Sequence, residues 1–303
     1  MSRRSDFPTR DGRGESDVEH PIPVVALRDD DSELICSGAP SGEYPPLDSG
    51  GIRSVHDHVF SRIEETPTQT DPFPHVYVRE VFPRDFYAQL IAQLPDDDRY
   101  QPFPVPYESR LSIDLKPDAA AQLGPFWRTF ESWINGQDFL SGMVEKFAQF
   151  LPLMHPHRAS LVDANTNDGQ VSIRAHTILN RDYANFALGP HTGGLRKFIV
   201  ALFYLPGDNR FSGFGTSIYR PRETGFVAWE SPVYPHDKFE LVRTFPNLPN
   251  SLFIFVKTDN SFHGVEPGPD RNDGRNLLMW IPKISASRRT GRPLTVPVEA
   301  LTG

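Results

Sequence analysis

The hydrophobic positions of this chain are concentrated after residue 70, and the region before it is mostly polar. Residues 1 to about 50 are rich in Arg, Asp, Glu, Ser, Gly and Pro, and only residues 22–27 form a short apolar run. Such a segment buries too little apolar surface to offset the entropy lost on ordering. We therefore expect residues 1–70 to form a loosely ordered N-terminal arm.

The next part of the chain carries mainly helical patterns. Residues 74–79 alternate like a short strand, and Pro83 suits the first turn of a helix. Apolar residues then recur at helical spacing after Pro83 and again between residues 126 and 150. They are Phe86, Leu90, Ile91 and Leu94 in the first stretch, and Phe126, Phe130, Trp133, Ile134, Met143, Val144 and Phe147 in the second. We interpret both stripes as core-facing helix surfaces.

From residue 159 onward, short apolar strands dominate. The strongest candidates span residues 171–179, 197–205, 215–219, 239–244, 251–256 and 276–281. Residues 197–205 are almost continuously apolar, which is typical of a strand covered on both faces. Helices followed by many short strands predict an α+β fold whose core is a double-stranded β-helix, a cupin-like jelly roll flanked by helices. We expect this domain to span residues 71–290, followed by a C-terminal tail at residues 291–303.

Composition and charge narrow the functional classes. The 303-residue chain has a net charge of −8, which argues against binding to nucleic acid polymers or anionic membranes. Cys36 is the only cysteine, which excludes an intramolecular disulfide and a cysteine zinc cluster. No apolar run approaches the roughly 18 residues of a membrane helix, and the N-terminus lacks the apolar core of a secretion signal. These features predict a cytoplasmic protein without a membrane partner, and they leave its oligomeric state open.

Two histidines and one arginine stand next to apolar strands. His191 lies in a turn rich in glycine and proline, and a long apolar strand follows at once. His263 comes 72 positions later, and Arg275, another 12 positions on, opens the last strong strand. Imidazole nitrogens bind iron and other transition metals, and an arginine forms bidentate pairs with carboxylates.

This order of parts resembles that of the iron(II)/2-oxoglutarate-dependent oxygenases. Their usual metal site is His-x-Asp/Glu, a long gap and a second His, followed about ten positions later by a basic residue. The resemblance covers roughly residues 73–285 and implies that His191 and His263 bind Fe(II), with 2-oxoglutarate and O2 as co-substrates. It also implies that Arg275 binds the far carboxylate of 2-oxoglutarate, with Arg271 as a rival and Arg174 as a further candidate for cofactor binding.

The chain departs from the oxygenase pattern at Gly193, where that family carries its metal-binding carboxylate. The same substitution marks the iron/2-oxoglutarate halogenases, in which a halide takes the vacant position at the iron. This likeness implies chloride as a further co-substrate and chlorination of an unactivated aliphatic C–H. A bulky side chain at position 193 would obstruct the halide, so glycine is better suited to this position than most residues.

Three other interpretations of Gly193 stay open. In the first, Gly193 and Gly194 serve only the turn, and the protein is a hydroxylase with an altered metal site. In the second, another carboxylate replaces the missing one; Asp182 and Asp208 are candidates, although neither lies at the required offset. In the third, the protein binds a ligand without catalysis.

The substrate is expected to be a free small molecule. The general pattern of residues along the chain is similar to that of nucleotide halogenases that chlorinate the sugar of deoxyadenosine monophosphate. This similarity implies a nucleotide substrate. Arginines suit a phosphate and aromatic rings suit base stacking, and we take Arg110 and Tyr107 as the candidate substrate-binding residues. The same aromatic residues are equally typical of a hydrophobic core.

Overall fold

A computed structural model describes the fold for most of the chain. The described residues are 47–103, 109–153, 162, 166–183, 186–228, 230, 232–267, 274–285 and 294–302. Among them, no helix has both the length and the apolar character that crossing a membrane requires.

Six helices flank the sheets in the described part of the chain. They are α1 (Ser49–Glu65), α2 (Arg84–Ala92), α3 (Pro117–Leu123), α4 (Pro125–Ile134), α5 (Gln137–Phe147) and α6 (Glu299–Thr302). The helical stripe predicted between residues 126 and 150 is divided between α4 and α5, because the chain turns at Asn135 and Gly136. Proline stands in the first turn of both α3 and α4, where a missing N–H costs nothing.

Fifteen strands are present in the described residues. They are β1 (His75–Arg79), β2 (Gln101–Pro102), β3 (Arg110–Asp114), β4 (Thr166–Asn167), β5 (Gln170–Arg174), β6 (Thr177–Asp182), β7 (Leu188–His191), β8 (Ile199–Tyr204), β9 (Thr216–Pro221), β10 (Phe239–Phe245), β11 (Ser251–Val256), β12 (His263–Val265), β13 (Arg275–Trp280), β14 (Lys283–Ile284) and β15 (Leu294–Pro297). A seven-stranded sheet has the order β1-β11-β8-β13-β6-β3-β2, and a four-stranded sheet has the order β10-β9-β12-β7. A third sheet joins β14, β5 and β15, with β4 paired to β5.

The two larger sheets form the jelly roll, and the sequence prediction of an α+β fold with this core is confirmed. Their paired strands are antiparallel throughout. In β8, Ile199, Ala201 and Phe203 pack against the helical layer. The alternate residues Val200, Leu202 and Tyr204 belong to a second cluster with residues of the four-stranded sheet. A strand covered on both faces needs apolar residues at every position, which explains the continuous run in the sequence.

The N-terminal part of the chain differs from the prediction. Residues 1–70 were expected to be loosely ordered, but α1 is a 17-residue helix within this range, capped by the Asp48 side chain. Val59 and Ile63 of this helix are completely buried in the core. The predicted tail at 291–303 likewise includes β15 and α6, and Val296 and Leu301 are buried.

Candidate metal centre

His191 and His263 are cross-strand neighbours in the four-stranded sheet. His191 is the last residue of β7, and His263 is the first residue of β12, directly opposite it in the antiparallel register. The centroids of the two imidazole rings are 4.2 Å apart. The sequence placed His191 in a turn, but in the structure it is the last residue of a strand, and His263 is the first residue of another.

Each imidazole is held at Nδ1 by the backbone carbonyl of the residue two positions earlier in the chain. Nδ1 of His191 donates to the carbonyl of Gly189 at 3.0 Å, and Nδ1 of His263 donates to the carbonyl of Ser261 at 2.9 Å. Because a carbonyl only accepts, the proton of each neutral ring is on Nδ1 and the lone pair is on Nε2. A backbone carbonyl on the other ring nitrogen is the usual support for a metal-binding histidine.

Burial keeps both rings neutral. It lowers the pKa of His191 to about 4, against the opposing effect of the Gly189 carbonyl, and Lys197 lowers it further. Burial also lowers the pKa of His263 well below its usual value, with further contributions from His191 and from Lys197. A metal ion binds the neutral imidazole, so the pair is in its metal-binding form at neutral pH without any titration.

Two small features of the chain allow the histidines to meet. Gly264 lies so close to β7 that an added Cβ would be 2.2 Å from the carbonyl oxygen of Leu188. Any larger residue would therefore push β12 away from β7. The buried hydroxyl of Thr192 donates to the carbonyl of Ala228 at 3.0 Å and fixes the loop after His191.

Gly193 has a left-handed backbone conformation, with φ of 78°. Glycine adopts this region freely, whereas a residue with a side chain is strained there. A Cβ at position 193 would lie 3.2 Å from Nζ of Lys197, 3.5 Å from its Cδ and 3.7 Å from its Cε. The side chain of Lys197 therefore lies beside the space that a carboxylate at position 193 would enter.

No carboxylate in the described residues takes the place of the missing one. These residues contain no group of three His, Cys, Asp or Glu side chains placed to hold a metal. Asp182, one of the two candidates, is instead bound to two arginines. Asp208, the other, caps a short helical turn and pairs with Arg210. A replacement by either aspartate is therefore not supported.

Arg110, Asp182 and Arg275 form a buried charge cluster on the seven-stranded sheet. Asp182 of β6 is paired in register with Arg275 of β13 on one side and with Arg110 of β3 on the other. Arg110 reaches the carboxylate through Nε at 2.5 Å and Nη2 at 2.9 Å. Arg275 reaches it through Nε at 3.2 Å and Nη2 at 2.5 Å. Their exposed fractions are 7%, 4% and 2% in chain order.

The cluster keeps one uncompensated positive charge inside the jelly roll. Burial alone would raise the pKa of Asp182, but the charges of Arg110 and Arg275 outweigh it and hold the pKa below its usual value. The carboxylate is therefore ionised at neutral pH and offsets one of the two guanidinium groups. The charge of Arg110 also contributes to the lowered pKa of His191. An anion that enters between the two sheets would be attracted to this cluster.

The cluster changes two predicted roles. Arg275 was expected to bind the far carboxylate of 2-oxoglutarate, but its Nε and Nη2 donate to Asp182 and its Nη1 donates to the backbone carbonyl of Phe214. Arg110 was expected to bind substrate, but it is bound to the same aspartate, and its guanidinium lies over the ring of Phe186 at 4.1 Å.

The other predicted site residues are not brought to the histidines. Arg174 is an exposed residue at the end of β5, in the third sheet, and so lies on a different sheet from Arg275. Its predicted cofactor role has no support from this placement. Tyr107 and Arg271 lie outside the described residues. Sequence reasoning did not identify Lys197, Gly264 or the pairing of Asp182 with both arginines.

Asp182→Asn should destabilise the metal-free protein strongly. Removing one partner of a buried ion pair leaves an uncompensated charge and typically costs about 3–5 kcal/mol. Because the folded-state pKa of Asp182 is lowered, its contribution is complete above the unfolded value of about 4 and is lost as the pH falls towards the folded-state pKa. The difference in the free energy of unfolding between the parent and the variant should therefore be large at pH 7 and small at acidic pH.

Urea denaturation at several pH values would measure this difference, and Asp208→Asn is the matched control. Asp208 also pairs with an arginine, but both side chains of that pair are far more exposed. Exposed pairs typically contribute about 0–1 kcal/mol. Equal destabilisation by the two substitutions would contradict the role assigned to the buried cluster.

No family model matches the chain, and no curated protein matches it. Several solved structures are similar. One is a structure of prolyl 4-hydroxylases from Phytophthora capsici, with 12% identity and a TM-score of 0.48 over 82% of this chain and 70% of that chain. Another is an oxidoreductase of the 2OG-Fe(II) oxygenase family from Burkholderia pseudomallei, with 13% identity and a TM-score of 0.40 over 80% and 96% of the two chains. HygX from Streptomyces hygroscopicus, with nickel and 2-oxoglutarate bound, has 12% identity and a TM-score of 0.38 over 70% and 83%. At these values the likeness does not bear on the chemistry, which rests on the residues of the site.

The residues present fit a divalent transition metal and an anionic co-substrate. Two neutral imidazoles lie with their ring centroids 4.2 Å apart, and Nδ1 of each ring is bound to a backbone carbonyl. Two protein ligands leave several coordination positions for other molecules. The positive cluster on the seven-stranded sheet supplies a partner for a carboxylate.

Proposed function

We propose that this protein is an Fe(II)/2-oxoglutarate-dependent halogenase that chlorinates an unactivated aliphatic C–H of a free small molecule. One observation carries the proposal. Nδ1 of His191 and Nδ1 of His263 are each held by a backbone carbonyl, while the position that carries the carboxylate in the oxygenase pattern is Gly193, bordered by the ammonium group of Lys197. A site that offers a cation where an oxygenase offers a carboxylate favours an exogenous anion.

In this proposal the chain's own residues bind and orient the reactants. His191 and His263 would hold Fe(II) through their Nε2 atoms. The net positive charge of the cluster formed by Arg110, Asp182 and Arg275 would attract the far carboxylate of 2-oxoglutarate. When bound, iron, 2-oxoglutarate and O2 supply the oxidant that removes a hydrogen atom from the substrate.

The overall reaction balances with halide as a consumed reactant. The substrate C–H, chloride, O2, 2-oxoglutarate and one proton would give the C–Cl product, succinate, CO2 and water. A hydroxylase would instead place one oxygen atom of O2 on the substrate carbon and would not consume chloride. A protein that only binds its ligand would form no succinate.

The finer proposal is that the substrate is a purine deoxynucleotide monophosphate, chlorinated on the sugar. It is supported by the resemblance of the sequence to nucleotide halogenases. The ring of Trp127 is not available to stack on a base, since it is buried in the helical core. The phosphate-binding role proposed for Arg110 is also weakened, because Asp182 engages this arginine.

The proposal is tested by mass spectrometry of an anaerobically iron-loaded protein exposed to O2 with 2-oxoglutarate and candidate nucleotides. Parallel reactions would contain chloride, bromide or neither halide. We expect succinate and a product in which the added halogen replaces one hydrogen atom of the substrate, with the corresponding increase in mass. Hydroxylated product formed at the same rate with and without halide would instead establish a hydroxylase with an altered metal site.

A further inference from the structure

The ammonium group of Lys197 lies beside the position that the missing carboxylate leaves open. The backbone turns back after Gly193, because the N–H of Lys197 donates to the carbonyl of Gly194 at 3.2 Å. The lysine side chain then extends over Gly193, with its Nζ 3.2 Å from the point where a Cβ would stand. This contact is with the charged end of the side chain and not with its aliphatic stem alone.

This ammonium group has no counter-charge in the described part of the chain. Within those residues, no hydrogen bond or ion pair engages Nζ of Lys197. Its cross-strand partner is another lysine, Lys283, whose own Nζ donates to Nδ1 of His176 at 2.7 Å. Burial, and then the charge of Lys283, lower the pKa of Lys197 to about 8. Like charges directly opposite each other destabilise a sheet, so this arrangement has a cost that the fold alone does not explain.

Several cations act on the histidine pair. Lys197 and Lys257 both lower the pKa of His263, and Arg110 lowers that of His191. The histidines are neutral, and the carboxylate of Asp182 is already shared by two arginines. A divalent metal beside Lys197 would add to this repulsion unless an anion lay between them.

We propose that Lys197 is a halide-binding residue, which holds the anion next to Gly193 in the position of the missing carboxylate. This inference rests on the proposed halogenase function and names a residue that confers halide binding on the site. The ammonium group of Lys197 attracts the halide, and the absence of a side chain at Gly193 leaves space for it. The carboxylate groups of 2-oxoglutarate are the competing anionic partners, and the experiment separates them from halide.

Halide binding would be measured on the anaerobic, Fe(II)-loaded protein with 2-oxoglutarate bound, in the absence of O2 and therefore of turnover. Chloride and bromide titrations would be followed by visible absorption, and the position of bromide by anomalous scattering in crystals. For Lys197→Met we expect the halide dissociation constant to rise about 10- to 100-fold, as for the loss of a charged hydrogen bond. The affinities for Fe(II) and 2-oxoglutarate should change by less than about threefold, because their proposed ligands are untouched.

Three further variants test whether the change in halide affinity depends on the ammonium group of Lys197. Lys197→Arg keeps the charge and should retain most of the halide affinity. Lys197→Gln keeps a polar side chain without the charge and should behave as the methionine variant does, which guards against a folding defect of either. Lys283→Met is the matched control, since it removes the neighbouring lysine of the same strand pair and should leave the halide affinity nearly unchanged.

The outcomes separate this inference from the proposed function. Lys197→Met with parental halide affinity would overturn the inference, even if the parent forms chlorinated product. A loss confined to 2-oxoglutarate affinity would also overturn it, because the anion at Lys197 would then be a carboxylate. A parent that binds halide through Lys197 but forms only hydroxylated product would support the inference and overturn the halogenase function. A parent without measurable halide binding would overturn both.

Discussion

Replacing His191 or His263 by alanine should abolish tight iron binding and all iron-dependent turnover. The described residues contain no group of three side chains that could hold a metal, so either substitution would leave the proposed site with a single protein ligand. Loss of a residue that merely supports a metal ligand costs roughly 10- to 100-fold in affinity, and loss of the ligand itself should cost more than about 100-fold. Anaerobic calorimetric titration with Fe(II) would give the affinity and the stoichiometry.

His75→Ala is the matched control for this experiment. His75 is also a buried histidine whose Nδ1 donates to a backbone carbonyl, that of Phe73, and burial also lowers its pKa. It packs against aromatic rings and has no second histidine opposite it. This variant should lose stability through the cavity it creates but should retain iron. Parental iron affinity in His191→Ala or His263→Ala would remove the assignment of the metal centre.

The proximity of the two histidines was predictable from the sequence because both stand next to strong strand signals. The apolar run that becomes β8 follows His191, and the run that becomes β11 precedes His263. The order and spacing of the pair indicated that the fold brings them together. Their exact register was not predictable, because β7 and β12 are only four and three residues long. Strands this short carry too few residues for an alternating pattern.

The charge cluster was not predictable because it depends on the order of strands in the sheet. Arg110, Asp182 and Arg275 are separated by 72 and 93 positions in the chain, and each is unremarkable in its own segment. They meet because β6 lies between β3 and β13. Without that order, Arg110 is an isolated arginine that suits a phosphate as well as it suits an aspartate.

The burial of α1 and the direction of the Lys197 side chain could not be predicted from the local composition of the sequence. Val55, Val59 and Ile63 recur at helical spacing in α1, but they lie in a predominantly polar segment. Their burial depends on the rest of the core. Lys197 follows Arg196 at the start of an apolar strand, where a pair of cations is usually exposed to solvent. Only the turn after Gly193 shows that Lys197 points back over the glycine.

Gly193→Asp should eliminate chlorination even at high chloride concentration. The substitution restores a carboxylate at the position required by the oxygenase pattern, next to Nζ of Lys197. The new carboxylate would pair with that ammonium group and occupy the space proposed for the halide. Because it is tethered to the chain, it has a large effective concentration relative to dissolved chloride. Hydroxylated product should appear if the variant keeps its iron.

The structure adds a steric condition to this prediction. The φ of 78° at Gly193 strains any residue with a side chain, although aspartate tolerates this region better than most. A Cβ at 3.2 Å from Nζ of Lys197 also requires the lysine to move by a few tenths of an ångström, which the end of a flexible side chain can do. Strain in αL typically costs about 1–3 kcal/mol, less than the stability of an ordinary domain.

Gly193→Ala separates strain from charge. It imposes the same backbone strain and the same Cβ contact as the aspartate variant, but it adds no carboxylate. If charge is decisive, the alanine variant should still bind halide and form some chlorinated product, whereas the aspartate variant should form none. Product analysis by mass spectrometry, with iron content measured on the same samples, distinguishes the two. An iron-loaded Gly193→Asp protein that chlorinates at the parental rate would show that halide does not bind beside position 193, and the role of Lys197 proposed here would fail with it.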